Sequence, residues 1–187
     1  MVLNKTADMA LKLLIICSAA AFILGVVNAL TAPEIKKLED KAKSKTLSEL
    51  VSIGSASSDR EITVSNNKYV SSYYTIDDGG ETIGYILYLK AKGYGGAMTI
   101  MASYEKDGTV LGAKLMANGE TPGFGKKAEK PGYMDKFIGR GSDNKSLPLF
   151  SYEVEESVDT VTGATITFMG VSTAIKMGSD FVKGGLE

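Results

Sequence analysis

Thr82-Ile83-Gly84-Tyr85-Ile86-Leu87-Tyr88-Leu89-Lys90 is the stretch that decides the fold. It is short, aromatic and almost wholly apolar, and it reads as a strand. On its N-terminal side Asp77-Asp78-Gly79-Gly80 is a turn signal, and before that Tyr69 to Ile76 is rich in Tyr, Val, Thr and Ile. On its C-terminal side Gly93-Tyr94-Gly95-Gly96 is a flexible link, followed by a further strand over Ala97 to Tyr104. Lys106-Asp107-Gly108 turns the chain again, and Thr109 to Ala117 returns it. Four such runs joined by short turns predict an antiparallel meander.

Composition excludes much chemistry. The chain of 187 residues has no histidine, no tryptophan and one cysteine, Cys17. Iron–sulfur clusters, structural zinc and histidine-held haem all need thiolates or imidazoles that are absent, so no metal site of these kinds is expected. Ser–His and Cys–His nucleophiles are excluded in the same way, and so is an intrachain disulfide. Redox work by this chain requires an organic cofactor. The balance of 21 basic and 22 acidic residues leaves no electrostatic footprint for nucleic acid.

Toward the N-terminus, residues 1–12 form a short polar tail with Lys5, Asp8 and Lys12. Leu13 to Leu30 is uncharged, and Leu13 to Ala32 meets the length of about 20 residues that spans a bilayer. We read 13–32 as a transmembrane helix; a signal peptide cut after Ala29 is the competing reading. Pro33 is expected to break the span. Glu34 to Val51 then reads as a second helix with Ile35, Leu38, Ala42 and Leu50 on one side and pairs Glu34–Lys37 and Glu39–Lys43 along it. Gly54 to Arg60 reads as a linker or exposed loop. Lys36, Lys37, Lys41, Lys43 and Lys45 outnumber Lys5 and Lys12, so the positive-inside bias favours a cytoplasmic C-terminal domain, although long domains often cross regardless.

Toward the C-terminus, Asn118 to Tyr133 is a long loop whose glycines and prolines preclude a regular element through most of it. Loops of this length inside a domain are commonly functional. Phe124, between Gly123 and Gly125, is a presented apolar side chain. Tyr133 to Ile138 reads as a short helix with Tyr133, Met134 and Phe137 inward, Gly139 to Pro148 as a loop, and Leu149 to Val154 as a short strand. The stretch Asp159-Thr160-Val161-Thr162-Gly163-Ala164-Thr165-Ile166-Thr167 then feeds an amphipathic helix. Val171, Ile175 and Val182, with Gly178 in register, recur on it at helical spacing. Thr162 or Thr165 suits an N-cap, and the same helix start suits a phosphate, with Gly163 and Ala164 allowing close approach.

Two loops taken together, Glu120-Thr121-Pro122-Gly123-Phe124-Gly125 and Asp159 to Thr165, behind one N-terminal span, carry a resemblance. The chain resembles the membrane-anchored FMN-binding subunits of ion-pumping respiratory complexes. Its short length is similar to the G subunits of the Rnf ferredoxin:NAD oxidoreductase rather than the longer C subunits of the sodium-pumping quinone reductase. Gly93 to Gly96, Asp107-Gly108 and the segment Tyr133 to Gly139 support it. The resemblance implies an α+β fold with one N-terminal transmembrane helix, then an antiparallel sheet domain with flanking helices. It divides the chain into 13–32 as span, 33–60 as membrane-proximal helix and linker, and 61–187 as an FMN-binding domain.

The resemblance further implies FMN linked through its phosphate to the hydroxyl of Thr165, with Thr162 and Thr167 donating to the remaining phosphate oxygens. The Glu120 to Gly125 loop would lie beside the isoalloxazine ring. Phe124, with Tyr133 or Met134, would cover its apolar face, and Glu120 and Thr121 would bond polar atoms. Asp159 would serve a separate flavin transferase that uses FAD and magnesium, or order its own loop as an Asx turn. The expected partners are that transferase, the other membrane subunits of the complex, and the membrane, with the domain on the extracytoplasmic side. The protein would relay electrons without being catalytic alone. A stand-alone surface flavoprotein and a non-redox assembly module are the rival readings of the same motifs.

Overall fold

The computed structural model describes residues 2–51, 55–56, 61–119, 128–150, 153–154 and 162–186, with side chains for 6–51, 61–119, 128–150, 153–154 and 165–186. The chain divides into two compact units, Met1–Ala42 and Lys43–Glu187.

The first unit is helical. It lies within α1 (Val2–Leu50), which contains Pro33. The break expected at Pro33 is therefore corrected to a single helix. Proline removes one helical donor, and hydroxyl side chains commonly re-satisfy carbonyls around such a site. Here the Thr31 hydroxyl donates to the Val27 carbonyl at 2.9 Å and the Asn28 carbonyl at 3.4 Å, in the turn before the proline. The apolar run is fully exposed, with Leu14, Phe22, Leu24 and Leu30 all more than 60% accessible, as suits a helix whose solvent is lipid.

The second unit is built on the meander. β3 (Val70–Asp78), β4 (Glu81–Lys92), β5 (Ala97–Glu105) and β6 (Val110–Asn118) pair antiparallel in that order. Tyr74 faces Ile86, Leu87 faces Ala102, and Ala102 faces Ala113. Two short strands, β1 (Ser55–Ala56) and β2 (Ile62–Thr63), both pair with β3. The linker expected over Ser55 and Ala56 is corrected: their backbone groups extend the sheet.

The sheet is covered on both faces, which is why β4 reads as a nearly continuous apolar run. Consecutive residues Ile86 and Leu87 are each fully buried, one on each side. Over one face lies α2 (Thr162–Lys183), whose Phe168, Val171, Ala174, Ile175 and Val182 pack with Leu87, Leu89, Ile100, Tyr104 and Val110. Val171, Ile175, Gly178 and Val182 point inward, as their spacing predicts. Over the other face lies the end of α1, whose Leu47 and Leu50 pack with Tyr74, Ile76, Ile86 and Met101. Ile35 and Leu38 are exposed, so only the last two turns of the expected apolar side are used. Glu34 and Lys37 pair at 3.9 Å, but Lys43 pairs with Glu61 at 2.7 Å rather than with Glu39.

After β6, a 3-10 helix (Met134–Phe137) buries Met134 and Phe137. Leu149 and Phe150 are bends and Glu153–Val154 are turn-like, so no strand forms among the described residues of 149–154. Leu147 instead supplies an apolar anchor, and the Pro148 carbonyl accepts from the buried Ser172 hydroxyl.

Candidate functional site

The site is built where three segments meet at one end of the sheet. β4 ends at Lys92 and turns through Gly93 to Gly96, closed by a 3.0 Å bond from the Gly93 N–H to the Gly96 carbonyl. β6 ends against the same turn, where the Gly119 N–H donates to the Ala97 carbonyl at 2.9 Å. Gly96 and Gly119 touch backbone to backbone, and a Cβ on Gly96 would lie 2.3 Å from the Gly119 oxygen. α2 lands on the same place. A Cβ on Gly170 would lie 2.3 Å from the Lys92 carbonyl oxygen, so the third turn of α2 rests directly on the end of β4.

This geometry brings together the flanks of the two sequence motifs. Gly119 immediately precedes Glu120, and Thr165 lies five residues before Gly170. Glu120, Thr121, Pro122, Gly123, Phe124, Gly125 and Asp159 lie outside the described residues. Thr162, Gly163 and Ala164 form the start of α2, and their side chains lie outside the description.

Thr165 is the fourth residue of the 22-residue α2, within its first turn rather than at a cap. It is half-buried, and among the described residues its hydroxyl makes no hydrogen bond. Thr167 is different. It is 2% exposed and already has a polar partner. Two residues apart on a helix means about 200° of rotation, so Thr167 faces the sheet while Thr165 faces outward.

Behind Thr165 stands an aromatic cluster. The Phe168 ring lies 5.4 Å from that of Phe137 and 6.3 Å edge-on from that of Tyr133. Met134 and Phe137 are core residues, whereas Tyr133 is half-buried with Lys136 Nζ 5.1 Å from its ring. Burial holds the Tyr133 phenol well above its ordinary pKa, so it is a neutral donor at all physiological pH. On the outer surface, Tyr94 is 72% exposed at the tip of the β4–β5 turn, and Ile166 and Met169 are about 40% exposed on α2.

Sequence reasoning missed the groups that seat α2. The Tyr104 hydroxyl donates to the Ile175 carbonyl at 3.0 Å, and Ser179 bonds the Gly108 and Gly141 carbonyls at 2.7 and 3.1 Å. Serines at 172 and 179, seven apart on an otherwise apolar face, were the available signal.

A family model described as FMN-binding domain matches residues 93–179, from the β4–β5 turn to the last turns of α2. Three relatives match over most of their length. The G subunit of the proton-translocating ferredoxin:NAD(+) oxidoreductase complex of Clostridium ljungdahlii is 29% identical over 168 residues, 88% of this chain and 85% of that protein. The G subunit of the ion-translocating oxidoreductase complex of Methanosarcina acetivorans is 24% identical over 177 residues, 91% and 90% of the two chains. The Na(+)-translocating counterpart of Acetobacterium woodii is 24% identical over 180 residues, 89% and 86%. The chain is thus similar to G subunits of ion-translocating oxidoreductase complexes and carries a match to an FMN-binding domain. The residues present fit an FMN-binding domain. The first turn of α2 has backbone N–H groups without partners inside the helix and the positive end of a long helix, which favour a phosphate. Thr165 adds a hydroxyl without a hydrogen bond among the described residues, and the matched region includes the β4–β5 turn, β6 and most of α2.

Proposed function

We propose that this chain is an electron-transfer flavoprotein of an ion-translocating ferredoxin:NAD oxidoreductase complex, carrying FMN through a phosphoester bond to Thr165. The observation that carries the reading is the Thr165 hydroxyl. It is half-buried and without a hydrogen bond among the described residues. It stands in the first turn of α2, at the end of the sheet where β6 and the β4–β5 turn meet. FMN there supplies one- and two-electron transfer.

The chain's own part is attachment and orientation. The backbone N–H groups of the first turn, from Thr162, Gly163 and Ala164, hold the phosphate. The Glu120 to Gly125 loop covers the ring, with Phe124 on its apolar face and Glu120 and Thr121 bonding its polar edge. Loading is done by a flavin transferase that takes FAD with magnesium and uses Asp159 for recognition. Thr165 Oγ1 loses its proton and forms the new bond to phosphorus, and AMP leaves. α1 anchors the protein by a single pass, with the sheet domain on the extracytoplasmic side. No Gly-x-Gly-x-x-Gly turn between a strand and a helix is present, so NAD is left to other subunits.

Denaturing electrophoresis tests the attachment. After coexpression with the transferase, the band fluoresces under ultraviolet light, and its intact mass exceeds that of the bare chain by one FMN less one water. Thr165→Ala abolishes both signals while the protein still reaches the membrane. Retained fluorescence in Thr165→Ala sinks the assignment. Co-purification with other membrane subunits separates the complex from a stand-alone flavoprotein.

A further inference from the structure

α2 presents two different sides where it passes the end of the sheet. Gly170 lies on one side, against the Lys92 carbonyl of β4. Thr165 lies on another. Seven residues make close to two full turns, so Thr165 stands on the same line of the helix as Ser172, whose hydroxyl donates to the Pro148 carbonyl. Phe168, three residues on from Thr165, flanks that line, with about 5–6 Å between such Cβ atoms. Its ring meets those of Phe137 and Tyr133. The side of α2 that carries Thr165 is therefore the side turned toward Tyr133 and Pro148, not the side that meets β4. Tyr133 has a polar group to spare there. Met134 and Phe137 are buried in the core, whereas Tyr133 is half-buried. Its ring is already occupied, with Phe168 edge-on at 6.3 Å and Lys136 Nζ at 5.1 Å. Its hydroxyl makes no hydrogen bond among the described residues. A partly buried donor without a partner costs stability unless something bonds it.

We infer that the Tyr133 hydroxyl donates a hydrogen bond to the polar edge of the isoalloxazine ring, and that it thereby raises the flavin's reduction potential. This rests on the reading of Thr165 as the attachment site. A phosphate on Thr165 Oγ1 starts FMN on the side of α2 that Tyr133 shares, with Phe168 packed beside both positions. The role differs from covering the apolar face of the flavin. Phe168 and Lys136 already occupy the Tyr133 ring, and the hydroxyl is the group that is left. The polar edge of the flavin gains negative charge on reduction, and a hydrogen bond to a charged acceptor is stronger than one to a neutral acceptor. A donor at that edge therefore favours the reduced flavin. Burial keeps the phenol protonated, so the donor is present throughout the physiological pH range. Tyr94 is the contrasting case. It is exposed at the tip of the β4–β5 turn, next to the strand end that Gly170 touches, on the other side of α2.

The experiment uses the flavinylated full chain in detergent. Two quantities are read per covalent flavin. One is the fluorescence yield of the folded chain against the same sample in urea. The other is the reduction potential, from equilibrium titration against a reference dye. The chain has no tryptophan, so tyrosine is the side chain best able to quench an excited flavin by donating an electron, and it does so only at near contact. The wild type is quenched, and urea raises its yield severalfold. Tyr133→Phe, which keeps the ring beside Phe168, is severalfold brighter when folded and has a more negative potential. Tyr94→Phe matches the wild type in both. A purely structural role for Tyr133 moves the urea midpoint and leaves the potential where it was. Unchanged brightness or an unchanged potential in Tyr133→Phe overturns the proposal, and so does the same pair of changes in Tyr94→Phe. Loss of covalent flavin from Tyr133→Phe alone also overturns it, since the hydroxyl then serves attachment. Where Tyr133→Phe does not fold, the wild type decides. A subnanosecond fluorescence decay with a transient tyrosyl signal supports the contact, and the lifetime of free FMN overturns it. A wild type without covalent flavin overturns the Thr165 reading as well.

Discussion

At the residue scale, the seat of α2 turns on Gly178. A Cβ there would lie 2.5 Å from the Tyr104 hydroxyl and 3.0 Å from its ring carbon. Tyr104 cannot easily retreat, because it is fully buried and its hydroxyl donates to Ile175. Gly178→Ala gains about 1 kcal/mol of helix propensity but forces overpacking that costs about 1–3 kcal/mol or more. We expect net destabilisation of about 1–2 kcal/mol in urea unfolding of the sheet domain. Tyr104→Phe costs about 1 kcal/mol for the lost hydrogen bond. The double variant falls short of the sum, since removing the hydroxyl removes the closest clash. Additive losses would show that the two side chains do not meet. Thr165 and Thr167 make a second residue-scale contrast. Thr167→Val removes a buried hydroxyl and costs about 1 kcal/mol, yet leaves covalent fluorescence intact, whereas Thr165→Ala does the opposite. From sequence these threonines are indistinguishable; only the rotation of the helix separates them.

At the scale of elements, the last two turns of α1 belong to the sheet domain. Leu47 and Leu50 are buried against the sheet, and Lys114 pairs with Glu49. Leu50→Ala should therefore cost about 2–4 kcal/mol, while Leu38→Ala, at an exposed site, should cost almost nothing. Lys43 adds a polar latch: its ammonium is 2.7 Å from Glu61 and 5.4 and 5.3 Å from the Tyr74 and Tyr88 rings. Burial alone would raise the Glu61 pKa, but hydrogen bonds from Lys43, Ser72 and Tyr74 outweigh it and hold the carboxyl below its ordinary value. Burial alone would lower Lys43, but its bonds to Glu61 and Tyr74 raise it. The Glu61 contribution is thus present above its unfolded pKa and lost as pH falls through the lower folded one. The Lys43 contribution is present below its unfolded pKa and lost only at strongly alkaline pH. Both side chains are partly exposed, so solvent limits the pair to about 1 kcal/mol or less. Glu61→Gln should flatten the loss of stability between about pH 5 and pH 3, followed by thermal unfolding. The strands were legible because turn signals bracket each one. The latch was not, because Glu61 is eighteen residues from Lys43 and a helical i,i+4 partner, Glu39, stood nearer in sequence.

At the scale of the whole molecule, local patterns foretold the parts better than their ends. The meander, the inward face of α2 and the apolar span follow from periodicity that acts over a few residues. The joining of span and membrane-proximal helix into one α1 did not, because proline reads as a stop in water while a helix in lipid keeps its hydrogen bonds at almost any cost. Orientation is where two whole-chain rules disagree. Lys36, Lys37, Lys41, Lys43 and Lys45 follow the span, which by the positive-inside bias alone places the sheet domain in the cytoplasm. That bias governs short loops, and a folded domain of more than about 100 residues translocates largely regardless of it. The five lysines are also not free charge: Glu34, Glu39, Asp40 and Glu49 are interspersed, and Lys37, Lys43 and Lys45 are paired. An extracytoplasmic domain is therefore the expected outcome, and the chain is well suited to proving it. Cys17, within α1, is the one cysteine. In Cys17→Ser/Ser65→Cys the single thiol stands at an exposed site beside β3. A membrane-impermeant maleimide added to intact cells should label it fully, and labelling that appears only after the cells are broken would place the domain in the cytoplasm.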